Sequence, residues 1–276
     1  MRIEDLDHPR VKPETIESTR EELQWLGLDW EHEMPLQSTD LQPCHAALEQ
    51  LGATGRIYRC DLSRSEIERS APHDDEQQAT FPAKLRPADA GKRIECPSLT
   101  CNWRLMVDDC TEVIDDQFAG THQFALSKSC GDFPVWTAAR KPGADGGPTY
   151  QLAVVVDDAR QAVTDVVRGD DLLESAARQQ MLYRLLDRPC PNWWHVPLVR
   201  GPDGKRLAKR HGDTRLASFR TRGCTAEQII GLMAYWCGMT ATRTTMPATD
   251  FLSAFDLAKL PSEDVTLGPE DLQWLC

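Results

Sequence analysis

Apolar positions recur along this chain at helical and then at strand-like spacing. Ile16, Leu23 and Leu26 mark one side of a segment that opens at Pro13, suited to a first helical turn, and closes at Gly27. A helix is predicted there, although the polar Thr19 and Arg20 interrupt its stripe, and Gly27-Leu28-Asp29-Trp30 reads as the exit into an extended segment. A second helix is predicted over about Leu41 to Leu51. From Ser70 to Arg93 the periodicity lapses, with Pro72, Pro82 and Pro87 punctuating a loop-rich insertion. Trp103 to Val113 predicts a strand. After the turn signal Lys141–Pro148, the β-branched run Tyr150 to Val156, ending in Asp157-Asp158, predicts a buried strand, and Val163 to Val167 a shorter one. Asp170 is placed to cap a helix whose apolar face is Leu172, Leu173, Ala176, Tyr183 and Leu186. Thr225 and Gln228 form a capping-box pattern ahead of Ile229, Ile230, Met233 and Cys237.

Strands, helices and crossovers thus alternate, with an interruption between them. That order predicts an α/β nucleotide-binding sheet split by a second module. At 276 residues, 41% hydrophobic and 27% charged, the chain can bury a substantial core. It holds no run of about 18 apolar residues for a membrane span, and acids stand in Met1–Asp7 where a leader peptide needs an apolar stretch. A cytoplasmic protein, without a membrane partner, is expected. The ten cysteines form no CxxC pair, so separate reduced thiols are expected. Cys96, Cys101 and Cys110 form a loose cluster whose spacing is wider than that of zinc knuckles. The net charge of −12 argues against a nonspecific nucleic-acid coat protein but leaves room for a local basic face.

Such a face lies between Arg200 and Arg222. Within it, Arg206-Leu207-Ala208-Lys209-Arg210-His211-Gly212 follows the turn Gly201-Pro202-Asp203-Gly204 and gathers cations where a loop can close over polyphosphate. Alone, the heptad is a weak signal, since basic runs on surface loops are common and usually just solvated.

Four further segments accompany it: Arg2-Ile3-Glu4-Asp5-Leu6-Asp7, Leu26-Gly27-Leu28-Asp29-Trp30, Tyr150 to Asp158, and Val166-Val167-Arg168-Gly169-Asp170-Asp171-Leu172-Leu173. In this order the five resemble the glutamyl branch of the class I aminoacyl-tRNA synthetases, from Met1 to about Gly238. Too few residues follow Arg210 for a large anticodon-binding region, so the chain resembles the short, glutamyl-queuosine tRNA(Asp) members of that branch. The resemblance implies a Rossmann-like parallel sheet with a small, mainly helical C-terminal region. It assigns residues 1–55 and 148–200 to the catalytic domain, 56–147 to an inserted module, and 201–276 to the KMSKS-like loop and helical region. It further implies activation of glutamate by ATP, with Mg2+, and transfer to tRNA, most specifically to queuosine of tRNA(Asp), by a monomer. A catalytically inactive homologue that still binds glutamate or tRNA, and a fragment of a glutamyl-tRNA synthetase, are the alternatives.

By the same resemblance Glu4 meets the α-ammonium of glutamate, Arg168 its side-chain carboxylate, and Tyr150 contacts the amino acid from the strand between them. An arginine suits that role because its planar fork grips a carboxylate with two hydrogen bonds. Lys209 is the ATP-contacting lysine and catalytic residue of the signature, and Arg206, Leu207, Ala208 and Arg210 complete the ATP-binding loop. Two departures stand out. The first strand and HIGH-type motif of the family are expected ahead of Arg2–Asp5, yet Met1 stands one residue before it. An upstream continuation of the reading frame is the first expectation, with a decayed copy or a half-site from another chain behind it. Without that half-site, little or no activity of residues 1–276 is expected. Where short relatives carry a zinc site in the insertion, this chain keeps only Cys60; Leu62, Phe81 and Leu85 cannot coordinate, so no zinc is expected.

Overall fold

The computed structural model describes residues 1–6, 11–70, 80–139, 145–205, 207 and 214–275. It divides into two compact units. One comprises Met1–Ile3, Asp7–Met34 and Val196–Cys276; the other comprises Glu4–Leu6 and Pro35–His195.

In the first unit, Pro13 opens helix α1 (Pro13–Trp25), and Gly27 ends it with φ +79°, a left-handed conformation that a Cβ disfavours. Both limits agree with the sequence reading. Leu26 then packs against Phe219, Ile229, Ile230 and Leu232.

The second unit begins with α2 (Gln42–Ala53), close to its predicted span, followed by β1 (Ile57–Arg59) and α3 (Arg64–Ser70). The single strand predicted over Trp103–Val113 is two: β2 (Trp103–Leu105) and β3 (Glu112–Asp116). They join different sheets, and the chain between them changes direction. Next come β4 (Gly120–Phe124), α4 (Leu126–Ser129), β5 (Phe133–Thr137) and β6 (Gly147–Pro148). The antiparallel sheet β1-β2-β5-β6 carries the inserted region, with Ile57 opposite Leu105 and Trp103 opposite Trp136.

The run from Tyr150 is not a strand. It forms α5 (Tyr150–Arg160), whose residues Leu152 to Asp158 are all buried. A continuous apolar run cannot distinguish a buried strand from a helix buried on every side, and packing decided it. Asp157, at its far end, accepts a hydrogen bond from Gln37 Nε2 at 2.8 Å. Strand β7 (Asp165–Gly169) follows, two residues later than predicted. Asp170 opens a 3₁₀ turn rather than capping a helix; α6 (Leu173–Leu185) has Leu172 at its N-cap and no side-chain cap there. Strand β8 (Asn192–Val196) completes the mixed sheet β4-β3-β8-β7, with β3 and β8 parallel at Asp116 and Trp193. Leu152, Val155, Ala176, Leu182, Ile114 and Trp193 belong to the large core of this unit.

Arg2–Asp5 carries no sheet ladder. Its place is set by the buried Asp5 carboxylate, which accepts from Ser38 N at 2.8 Å and Ser38 Oγ at 2.5 Å.

The first unit resumes with β9 (Val199–Arg200), then α7 (Leu216–Thr221), α8 (Ala226–Trp236), α9 (Ala248–Ala254), β10 (Val265–Thr266) and α10 (Pro269–Trp274). The region is mainly helical, with β9 and β10 in a two-stranded parallel ladder. Thr225 and Gln228 form the capping box expected of them. No helix among the described residues is long and apolar enough to cross a membrane.

Candidate functional site

Arg168 is the fourth residue of β7, near its carboxyl end, where α/β sheets gather their ligands. Its strand lies beside β8: Asn192 N donates to Thr164 O, and Arg168 Nε donates to His195 Nε2 at 3.0 Å. The partners rise together along the chain, Thr164 with Asn192 and Arg168 with His195, so the two strands run in the same direction. His195 is 1% exposed. Its Nδ1 lies 2.6 Å from Asp116 Oδ2, and Asp116 is the last residue of β3. Three strand ends therefore converge on one row of side chains, Asp116, His195 and Arg168.

Tyr150, the first residue of α5, lies near enough to Arg168 to act on its guanidinium. Tyr150 is 45% exposed, so this side of the grouping faces solvent. Arg168 also donates through Nη2 to Leu172 O at 3.3 Å, and its guanidinium lies 5.1 Å from the Trp193 ring centroid. Burial, the largest influence, lowers the Arg168 pKa, opposed by Tyr150 and Asp158. The guanidinium stays charged. Burial likewise lowers His195, with the Asp116 bond pulling the other way. For Asp116 burial opposes ionisation, but the N–H groups of Ala119, His195 and Phe118 and the His195 ring outweigh it and hold the carboxyl low. An acceptor-rich anion at the base and a partly exposed guanidinium at the mouth suit the capture of a small carboxylate.

Of the residues assigned from sequence, the structure unites Tyr150 and Arg168, although Tyr150 approaches from a helix start rather than a strand. Glu4 is exposed on the extended segment that Asp5 anchors. Leu207 is half-buried. Arg206, Ala208, Lys209 and Arg210 lie outside the described residues. His195 and Asp116 were not picked out by the sequence. A histidine inside the apolar run Trp193-Trp194-His195-Val196 signals that a buried ring needs a partner. That the partner is Asp116, 79 residues away, is not legible from spacing.

Among the described residues no group of three His, Cys, Asp or Glu side chains is placed to hold a metal. Cys60 is buried with Tyr58, Ile67 and Phe81, and Leu85 packs against them. A cavity of about 260 Å³ lies in the same unit, lined by Phe81, Arg104, Cys130, Asp132 and Arg178 and apart from Arg168.

A mixed sheet with an arginine held at a strand end defines an α/β ligand-binding domain. Known proteins make the class specific. Residues 1–274 match the family of class I tRNA synthetases (E and Q), catalytic domain. The chain is 38% identical over 286 residues to a glutamyl-Q tRNA(Asp) synthetase from Symbiobacterium thermophilum, covering 99% of this chain and 86% of that protein. It is 40% identical over 248 residues to one from Rhodopirellula baltica, covering 87% and 74%. A crystal structure of a glutamate tRNA ligase from Elizabethkingia meningosepticum, in complex with its amino acid, superposes with a TM-score of 0.76 at 23% identity, covering 99% of this chain and 61% of that one. The chain spans 59% of the length of two glutamate–tRNA ligases it also matches, from Parasynechococcus marenigrum and a Synechococcus species. It belongs to the class I tRNA synthetase family, in the branch of the glutamate and glutamine enzymes.

Proposed function

We propose that this protein activates glutamate with ATP and transfers it to tRNA, specifically to queuosine of tRNA(Asp). The observation that carries the reading is the Arg168 fork, backed by His195 and met by Tyr150, at the carboxyl end of a sheet strand. The lengths of the matched relatives favour the short, queuosine-directed kind: the chain covers 86% of one and 59% of a glutamate–tRNA ligase. In the proposed reaction Arg168 holds the side-chain carboxylate, Tyr150 flanks it, and Glu4 meets the α-ammonium. The α-carboxylate oxygen then attacks the α-phosphorus of ATP, which enters as its Mg2+ complex, and the bond to pyrophosphate breaks. Lys209, with Arg206, Leu207, Ala208 and Arg210 around it, stabilises the negative charge that gathers on the phosphates. We assign residues 1–55 and 148–200 to the catalytic domain, 56–147 to the inserted module and 201–276 to the loop and helical region, in a monomeric protein.

The test is glutamate binding by calorimetry together with glutamate-dependent ATP–pyrophosphate exchange in the absence of tRNA, the exchange being measured on the protein extended by the upstream reading frame that supplies the HIGH-type half-site. Replacing the carboxylate with an amide removes a charge-assisted pair, about 1.5–3 kcal/mol, so glutamine is expected to bind about 10- to 150-fold more weakly. Arg168→Ala should abolish that preference, and an unchanged glutamate-to-glutamine ratio in this variant would refute the assignment. Lys209→Ala should leave glutamate binding intact while exchange collapses.

A further inference from the structure

We propose that His195 and Asp116 are positioning residues for Arg168: the buried pair fixes the edge from which the guanidinium presents its fork to the amino-acid carboxylate. The proposal deepens the reading above and rests on Arg168 receiving that carboxylate.

Hydrogen-bond chemistry dictates the protonation of the row. An arginine N–H can only donate, so His195 Nε2, 3.0 Å from Arg168 Nε, must be the acceptor. The ring proton therefore sits on Nδ1 and is donated to Asp116 Oδ2 at 2.6 Å. Asp116 is held in turn, accepting from Phe118 N at 3.0 Å, Ala119 N at 2.7 Å and His195 N at 3.1 Å. Both side chains of the pair are fully buried. The row is thus an anion, a neutral ring of one tautomer, and a cation.

Three restraints act on the guanidinium. His195 fixes Nε, the Leu172 carbonyl fixes Nη2, and the Trp193 face at 5.1 Å limits tilt. An arginine so held loses less freedom when it binds a carboxylate, and its fork is preset rather than recruited. A His–Asp pair that merely tied β3 to β8 would need no bond from Nε2 to a partly exposed cation. The placement of Asp116 is informative as well. It comes from the β3–β4 hairpin, within the stretch assigned to the inserted module, so that stretch reaches the amino-acid site through a side chain.

The experiment uses the full chain and compares Asp116→Asn, His195→Ala, His195→Gln and Arg168→Ala. The amide introduced by Asp116→Asn would offer an N–H to Nδ1 and drive the ring proton to Nε2, against Arg168. Asp116→Asn and His195→Ala are expected to weaken glutamate binding about tenfold or more and to narrow the glutamate-to-glutamine preference, with ATP affinity retained. The side-chain amide of the His195→Gln variant can accept from Arg168 and donate to Asp116, so this change should recover most of the loss. Nitrogen NMR of the unmodified protein at neutral pH should show His195 as the Nδ1–H tautomer, a readout that survives if a variant fails to fold. Glutamate affinity within about twofold of the parent in both Asp116→Asn and His195→Ala, with Arg168→Ala defective, overturns the positioning role alone. An Nε2–H or doubly protonated ring overturns it too. Parent-like glutamate binding by Arg168→Ala instead sinks the underlying reading.

Discussion

At the residue scale, the consequential side chains of this protein are buried charges satisfied by several partners at once. Asp132 is 1% exposed at its side chain and accepts from Tyr58 Oη, Arg86 Nε, Arg86 Nη2 and Val107 N at 2.7–2.8 Å. Removing it strands a buried phenol, a guanidinium and a backbone N–H together, so Asp132→Ala should lower stability by about 3–5 kcal/mol in denaturant unfolding. Asp61, whose partner Arg59 is as exposed as itself, should be replaceable with no measurable change. His195 makes stability depend on pH with a definite sign. It faces Asp116 and Arg168, and the guanidinium in turn faces Tyr150, Asp158 and Tyr183. Its folded-state pKa lies below the ordinary 6.5, so between that value and the lowered one the unfolded chain binds a proton that the folded chain refuses. Its contribution is therefore fully present above pH 6.5 and declines as the pH falls through the lowered value. Thermal melts of the parent and His195→Gln should separate most at neutral pH and converge on acidification.

At the element scale, local signals work where an end is defined by its own residues. The capping box at α8 is one case: Gln228 N donates to Thr225 Oγ1 at 3.3 Å, and Thr225 N donates to Gln228 Oε1 at 2.8 Å. Thr225→Ala should cost about 1 kcal/mol, and Thr225→Ser should restore it. Gly131 is a long-range case. It has φ +63°, and a Cβ there would lie 2.1 Å from Phe81 O, its partner in an isolated parallel bridge. Gly131→Ala should therefore loosen the Phe81 segment, seen as faster amide exchange around Phe81 and Tyr58. The same segment bears on zinc. Cys60, Tyr58, Ile67 and Phe81 form an apolar cluster, and one thiol does not hold the ion. Elemental analysis of the purified protein should find no stoichiometric zinc, and one tightly held zinc per chain would overturn that expectation.

At the scale of the whole molecule, cysteine chemistry offers a global check. No disulfide joins the nine described cysteines. Burial pushes Cys44 up to about 12, whereas Cys96 is exposed. Alkylation of the native protein should mark Cys96 early and Cys44 only on unfolding. The broad organisation was legible because it rests on order along the chain: an α/β sheet, an interruption and a helical C-terminal region. So was family membership, carried by Arg168, Tyr150 and the other ordered segments. The helix from Pro13 to Trp25 and the capping box at Thr225 were readable because φ preferences and side-chain caps act over a few residues. The state of Tyr150–Arg160 was not, since a run apolar on all sides is a helix or a strand according to what surrounds it. Nor was the Asp116–His195–Arg168 row, whose members are separated by 79 and 27 positions and meet only because three strand ends lie side by side. Sequence by itself determined which chemistry this protein carries and in what order. Tertiary structure alone decided which groups share a site and in which protonation state, because burial and hydrogen-bond geometry belong to the folded chain.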